Sequence, residues 1–149
     1  MAFDRTTKRC VILKGSPEIS EEGVASATVK PGYLVKGVSS VAHQTSTGHV
    51  PKAVALERDE FGAGIDNTYQ QPGTPSAFYA SGDSVKVAVF DSGDEATMYV
   101  ASGQNITEDD LLESAGDGTL AEGSTNPIAR AMQTLGAVTT LTALRVQFL

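Results

Sequence analysis

At 149 residues the chain has the length of one domain, enough to bury a core without disulfides or metals. Hydrophobic residues make up 40% of it, with no long apolar run and no leader-like N-terminus, so neither a transmembrane helix nor a secretory signal is expected. The net charge of −7 speaks against a nucleic-acid partner, which would need basic surface to displace counterions from phosphates. Cys10 is the only cysteine, which rules out an intramolecular disulfide, argues against a metal cage and fits folding in a reducing cytoplasm.

In residues 1–14 Arg5, Lys8, Arg9 and Lys14 stand against Asp4, a local charge of +3, so the remainder of the −7 chain carries −10. A basic arm therefore precedes an acidic body. Charge alone leaves two readings open: a solvated terminus, or an arm that docks on an acidic protein surface.

Short β-type runs then alternate with Gly, Pro, Asp and Ser. Cys10–Leu13 is an apolar run stopped by Gly15-Ser16-Pro17, and Val24–Val29 reads as a strand. Pro31-Gly32 suits the centre of a type II turn, after which Tyr33-Leu34-Val35 resumes the extended chain. Val50–Glu57 reads as a mostly buried strand. Between these lie a loop over Ser39–Gly48 and a longer one over Phe61–Gly82. Val85, Val87 and Val89 alternate with Ser84, Lys86 and Ala88, a period of two that puts three valines on one face. Asp91–Asp94 is a turn, and Ala96–Ala101 is the expected hairpin partner of that strand. A second hairpin joins Leu111-Leu112 to Thr119-Leu120 across Ala115–Gly118. The last strand is Leu141–Leu149, with Leu144, Val146 and Phe148 on one face.

Helix signals are few. Thr107–Asp110 has the acids of a single capped turn. Asn126–Gly136 suits a helix, with Asn126 as N-cap and Pro127 at the first position, and also suits a strand after a turn.

No set of residues makes a convincing reaction centre, and no cofactor is expected. Ser, His and Asp are present, but no Gly-x-Ser-x-Gly elbow would activate a serine. His43 and His49 are six apart in a Ser/Thr-rich loop, unlike the spacing of zinc ligands. The acids at Asp91–Glu95 and Glu108–Asp110 lack calcium-loop spacing and read as turn and capping groups. Gly62-Ala63-Gly64 lacks the third glycine of a dinucleotide fingerprint. With no tryptophan and only nine Phe and Tyr, the chain is poor in platforms for sugars.

One ordered series of segments is familiar. It runs from Gly82–Phe90 through Gly93–Glu95, Ala101–Thr107, Leu111–Ser114 and Gly116–Leu120 to Ile128–Ala131, and is preceded by Lys30–Val35 and Ala53–Glu57. It resembles the head decoration, or cement, proteins of tailed bacteriophages, over roughly residues 24–149. Each piece is a turn-and-strand signature; the order carries the specificity. One departure stands out: Asp109-Asp110 precedes Leu111-Leu112 where a Gly-Asp pair is expected. The resemblance implies an all-β fold, a small single-domain β-barrel of β-tulip type over 24–149 with an extended N-terminal arm over 1–23 and long loops. It implies no enzyme but a structural virion protein, made in the host cytoplasm. Such a homotrimer binds the outer surface of the expanded capsid, with the major capsid protein as partner. Phe3, Arg5, Lys8, Arg9, Val11 and Leu13 are the candidate capsid-binding residues, Phe3 as an apolar anchor and the cations steering the approach. The alternatives from other classes are a free-standing β-barrel module for carbohydrate binding or adhesion, and a small hydrolase.

Overall fold

The computed structural model describes residues 8–9, 11–56, 65–66 and 78–149, and every regular element in them is a strand. In chain order these are β1 (Lys8–Arg9), β2 (Ile12–Lys14), β3 (Glu18–Ala25), β4 (Val35–Lys36), β5 (Ser40–His43), β6 (Ala53–Ala55), β7 (Ile65–Asp66) and β8 (Ser84–Val89). The second half holds β9 (Glu95–Val100), β10 (Asn105–Ile106), β11 (Leu111–Ser114), β12 (Leu120–Glu122), β13 (Ala129–Ala131), β14 (Gly136–Ala137) and β15 (Thr142–Phe148).

The second half forms a closed barrel. Strands follow the order β12-β11-β13-β15-β9, and β12 returns to β9 through the parallel pair Leu120–Val100, with Ala101 N–H donating to Leu120 O at 3.0 Å. Alternation along the strands decides what lies inside: Ala96, Met98 and Val100 from β9, Leu144, Val146 and Phe148 from β15. The interior is narrow, and β13 answers large residues with small ones. Ala129 lies opposite Phe148 and Ala131 opposite Val146. β2 adds a sixth strand outside the closed five by pairing with β9.

The first half builds a second sheet in the order β4-β5-β3-β8-β6. A bridge between Leu34 and Val54, with Gly32 N–H donating to Ala55 O at 2.8 Å, joins its two ends, so this sheet also curls onto itself. Its concave side encloses a separate apolar cluster of Ala25, Val29, Val35, Val41, Ala53, Ala55, Tyr79, Val85 and Val87. Its other side gives Leu34, Val54, Ala88 and Phe90 to the barrel's cluster. β8 is therefore lined by two cores. Phe90 stacks on Phe148 across the junction at 4.7 Å.

Several expectations hold. Gly32 has φ +83° and Tyr33 N–H donates to Lys30 O, as a type II turn requires. Leu111–Ser114 and Leu120–Glu122 form the second hairpin. Leu144, Val146 and Phe148 share the buried face of β15.

Others do not. Ala96–Ala101 is not the hairpin partner of Ser84–Val89: β8 pairs with β3 and β6, while β9 pairs with β15, β2 and β12. The turn at Asp91–Asp94 redirects the chain from one sheet to the other. Gly93 N–H donates to Phe148 O and Phe148 N–H to Asp94 O, so β15 rather than β8 takes up the corner's backbone groups. Val89 is 43% exposed, and Ala88 takes an inner position in its place. The loop over Ser39–Gly48 contains β5. The ambiguous Asn126–Gly136 resolves to strands, because its amides find partners far along the chain: Ile128 N–H on Leu112 O, Ala131 N–H on Asp110 O, Met132 N–H on Arg145 O. Thr107–Asp110 is a tight turn rather than a helical one, with Asp110 N–H on Thr107 O. Asp109, at the position where glycine was expected, has φ +73°, a left-handed conformation that Asp tolerates better than most side chains. Of the long loop over Phe61–Gly82, Ile65–Asp66 and residues 78–82 are described; the rest lies outside the described residues.

Candidate docking surface

Phe3 and Arg5 lie outside the described residues. Lys8 and Arg9 form β1, whose backbone pairs antiparallel with Ile65–Asp66. Val11 is fully buried in the barrel's cluster, and its carbonyl accepts Thr97 N–H at 2.8 Å. Leu13, two residues on, is 43% exposed. The structure thus separates the six candidates: Val11 anchors the segment inside, and Leu13 faces outward. The arm boundary drawn at residue 23 falls within β3, so residues 11–23 run through both sheets.

β2 is pinned by charge. Glu95 keeps only 5% of its side chain exposed beneath Arg145, which donates from Nε at 3.1 Å and from Nη2 at 2.7 Å to Oε1. Lys14 Nζ lies 3.7 Å from Oε2. The Arg145 hydrogen bond holds the Glu95 carboxyl below its ordinary range, against the opposing effect of burial.

Five of the eight exposed large hydrophobic residues among those described lie on, or in register with, residues 13–24: Leu13, Ile19, Val24, Val89 opposite Glu18, and Val38 beside the Ser39 carbonyl that accepts Val24 N–H. Backbone direction explains why this stretch has no partner strand among the described residues. Phe90 N–H donates to Lys52 O and Leu56 N–H to Lys86 O, so Lys86, Ala88 and Phe90 turn their backbone groups towards β6. Val85, Val87 and Val89 then serve β3 through Gly23, Ser20 and Glu18. Ile19, opposite Ala88, directs its own N–H and C=O to the far side of β3, where β5 reaches only Val24 and Ala25. No described residue hydrogen-bonds that edge at Ile19. An extra residue bulges β3 between Ser20 and Gly23. Lys86 Nζ stands 3.9 Å from Glu21, and Glu18 and Glu22 complete an acidic rim. Bulges and charges of this kind discourage an edge from pairing with its own copies.

A second group of polar and aromatic side chains sits where the two halves meet. His43 stacks on Tyr33 at 4.6 Å, and Tyr33 in turn packs on Tyr99 at 5.4 Å. Burial, with Tyr99 and Asp117 near, pushes the Tyr33 hydroxyl up to about 12. Burial raises the Asp117 carboxyl, but the Thr119 hydroxyl and N–H on Oδ1, its own N–H and nearby His43 together hold it below its ordinary value. His43 Nε2 accepts Lys30 N–H at 3.0 Å, so that nitrogen is not positioned as a base for a serine hydroxyl. Two further acids serve turns: Asp94 Oδ2 accepts Asp91 N–H, and Asp110 Oδ2 accepts Thr107 N–H. Among the described residues no group of three or more His, Cys, Asp or Glu is placed to hold a metal ion.

Sequence reading named Leu13, which the structure leaves exposed, but not the edge at Ile19 or the junction at His43. Both depend on which strands pair, and nothing local in Glu18–Glu22 marks it as an edge without a partner among the described residues. Compared with known proteins, the chain matches no family model and no curated sequence.

Proposed function

We propose that the protein is a structural component of a tailed-phage head: a decoration protein that binds the outside of the expanded shell and ties neighbouring capsid subunits together. The ordered resemblance over residues 24–149 supports this reading, and the observation that carries it is the β3 edge at Ile19, which no described residue pairs, running on from the basic N-terminal segment. An extended strand of a capsid subunit added at Ile19 would gain backbone hydrogen bonds worth about 1 kcal/mol each, net. It would also cover apolar side chains on both faces of the edge, since Ile19 and Val89 emerge on opposite sides. Glu18, Glu21 and Glu22 favour a basic segment there, while the charges of Arg5, Lys8 and Arg9 suit acidic shell surface and Phe3 suits an apolar contact. A trimer would present three such edges, and each contact after the first forms at high effective concentration. Binding energy at a subunit junction then adds directly to the stability of the expanded shell.

Co-sedimentation with empty expanded shells tests the reading. The informative truncation removes residues 2–7 only, because Val11 belongs to the core. That truncation and Ile19→Lys should each leave a folded protein that binds at least tenfold more weakly, a loss of about 1.4 kcal/mol. A protein that never sediments with expanded shells, or one whose affinity neither change alters, overturns it.

A further inference from the structure

The imidazole of His43 is half-buried, with close contacts on two sides. Tyr33 covers one face, and the turn between β11 and β12 covers another so closely that a Cβ on Gly118 would lie 3.2 Å from His43 Cβ and Cγ. The ring's Nε2 accepts Lys30 N–H, which places the proton of the neutral form on Nδ1. The ionisable groups facing it are Lys30 and Tyr33 from the turn before β4, and Asp117 from the β11–β12 turn; β4 itself sets Val35 opposite His43. That turn is tied to the first half by Leu34 N–H to Gly118 O at 2.8 Å, and the end of β11 beside it by Ser114 Oγ to Ser46 O at 2.6 Å.

We propose that His43 is an acid-operated clasp: when its ring takes up a second proton, the Gly116–Gly118 turn lets go of the first half while both sheets stay folded. A protonated Nε2 is a donor facing the Lys30 N–H donor, so one hydrogen bond is lost and two donors oppose each other. The new positive charge also faces the Lys30 side chain. Among the described residues Asp117 is the counter-charge at hand, and its Oδ1 is already engaged by Thr119. A ring that turns away from the Lys30 N–H must move between Tyr33 and the Gly118 turn, which hold it on two sides. Burial holds the His43 pKa below its ordinary 6.5, with Lys30 adding to the effect and Asp117 opposing it. The closed contact is therefore fully present above that ordinary value and lost as pH falls through the lowered one.

Amide exchange in the full-length protein, corrected for intrinsic rates, reads the clasp directly. Between about pH 7 and about pH 5, protection at Leu34 and Lys30 should fall about tenfold or more, with Met98 and Val146 unchanged. The ring of His43, one of only two histidines, should titrate with the same midpoint. His43→Gln keeps an acceptor but takes no proton, and should remove the pH dependence, whereas His49→Gln should not. Protection at Leu34 that ignores pH, that falls equally in His43→Gln, or that falls together with Met98 would each overturn the proposal.

Discussion

Replacing Gly118 with alanine puts the junction between the two halves to a quantitative test. Two costs arise there. The backbone has φ +91°, and the left-handed region costs an L-residue with a Cβ about 1–2 kcal/mol. The new methyl would also lie 2.8 Å from Tyr33 Cδ2, as well as pressing on His43. Tyr33 has little room to yield, being packed between His43 and Tyr99, and overpacking of this kind costs about 1–3 kcal/mol. The sum is about 2–5 kcal/mol, a large share of the roughly 5–15 kcal/mol that holds a typical domain. Gly93 supplies the control: its φ is +92°, yet nothing lies within 4 Å of its Cβ position. Gly93→Ala should therefore incur the backbone cost alone. Urea and thermal unfolding followed by circular dichroism should place Gly118→Ala below Gly93→Ala by about 1–3 kcal/mol, or roughly 2–12 °C in midpoint. Equal midpoints for the two variants would mean that the Tyr33–His43 contact is not packed as described.

Two further changes probe the barrel. Phe148 is 1% exposed and stacks on Phe90, so Phe148→Ala should cost about 3–5 kcal/mol in urea unfolding, and a loss under 1 kcal/mol would show that the two sheets do not depend on that contact. Arg145→Gln removes the principal cause of the low Glu95 pKa. A depressed carboxylate contributes stability that is present above its unfolded value and lost as pH falls through the folded one. The variant's Glu95 should titrate at higher pH by carbon NMR, with acid unfolding beginning at higher pH too; an unmoved titration would assign the shift to Lys14 instead.

Where sequence reading succeeded, the signal was local. Glycine at a turn centre is needed for its own φ, as Gly32 and Gly118 show, and period-two alternation in Leu144, Val146 and Phe148 reports one buried face. It faltered where pairing is long-range. Asp91–Asp94 has the composition of a hairpin turn, and only the capture of its backbone by β15 makes it a corner between sheets. Val85, Val87 and Val89 alternate as one face, but β8 is lined by two cores, and the strand's end at Val89 is left uncovered. Local propensity leaned to a helix at Asn126–Gly136; a barrel that needed a strand opposite Val146 and Phe148 decided otherwise. At the N-terminus, charge marked the basic arm but not its end, because Val11 looks the same in sequence whether it faces a partner or the core.

That last point bears on what a cementing role would require. A segment that grips a shell must pass load to the rest of the molecule, and a tail joined by a loose linker would pull on little more than its own first residues. Here the basic segment leads into Val11, locked in the barrel's core, then into β2 on β9, and within a few residues into β3 of the second sheet. Load entering before Val11 is therefore shared by both halves, and the Glu95–Arg145–Lys14 cluster braces β2 at the point of transfer. The same geometry explains why the arm and the fold are not separable beyond residue 9. Removing Val11 takes a core side chain and an acceptor for Thr97 N–H together, so a lost interaction with a partner would be indistinguishable from a weakened barrel.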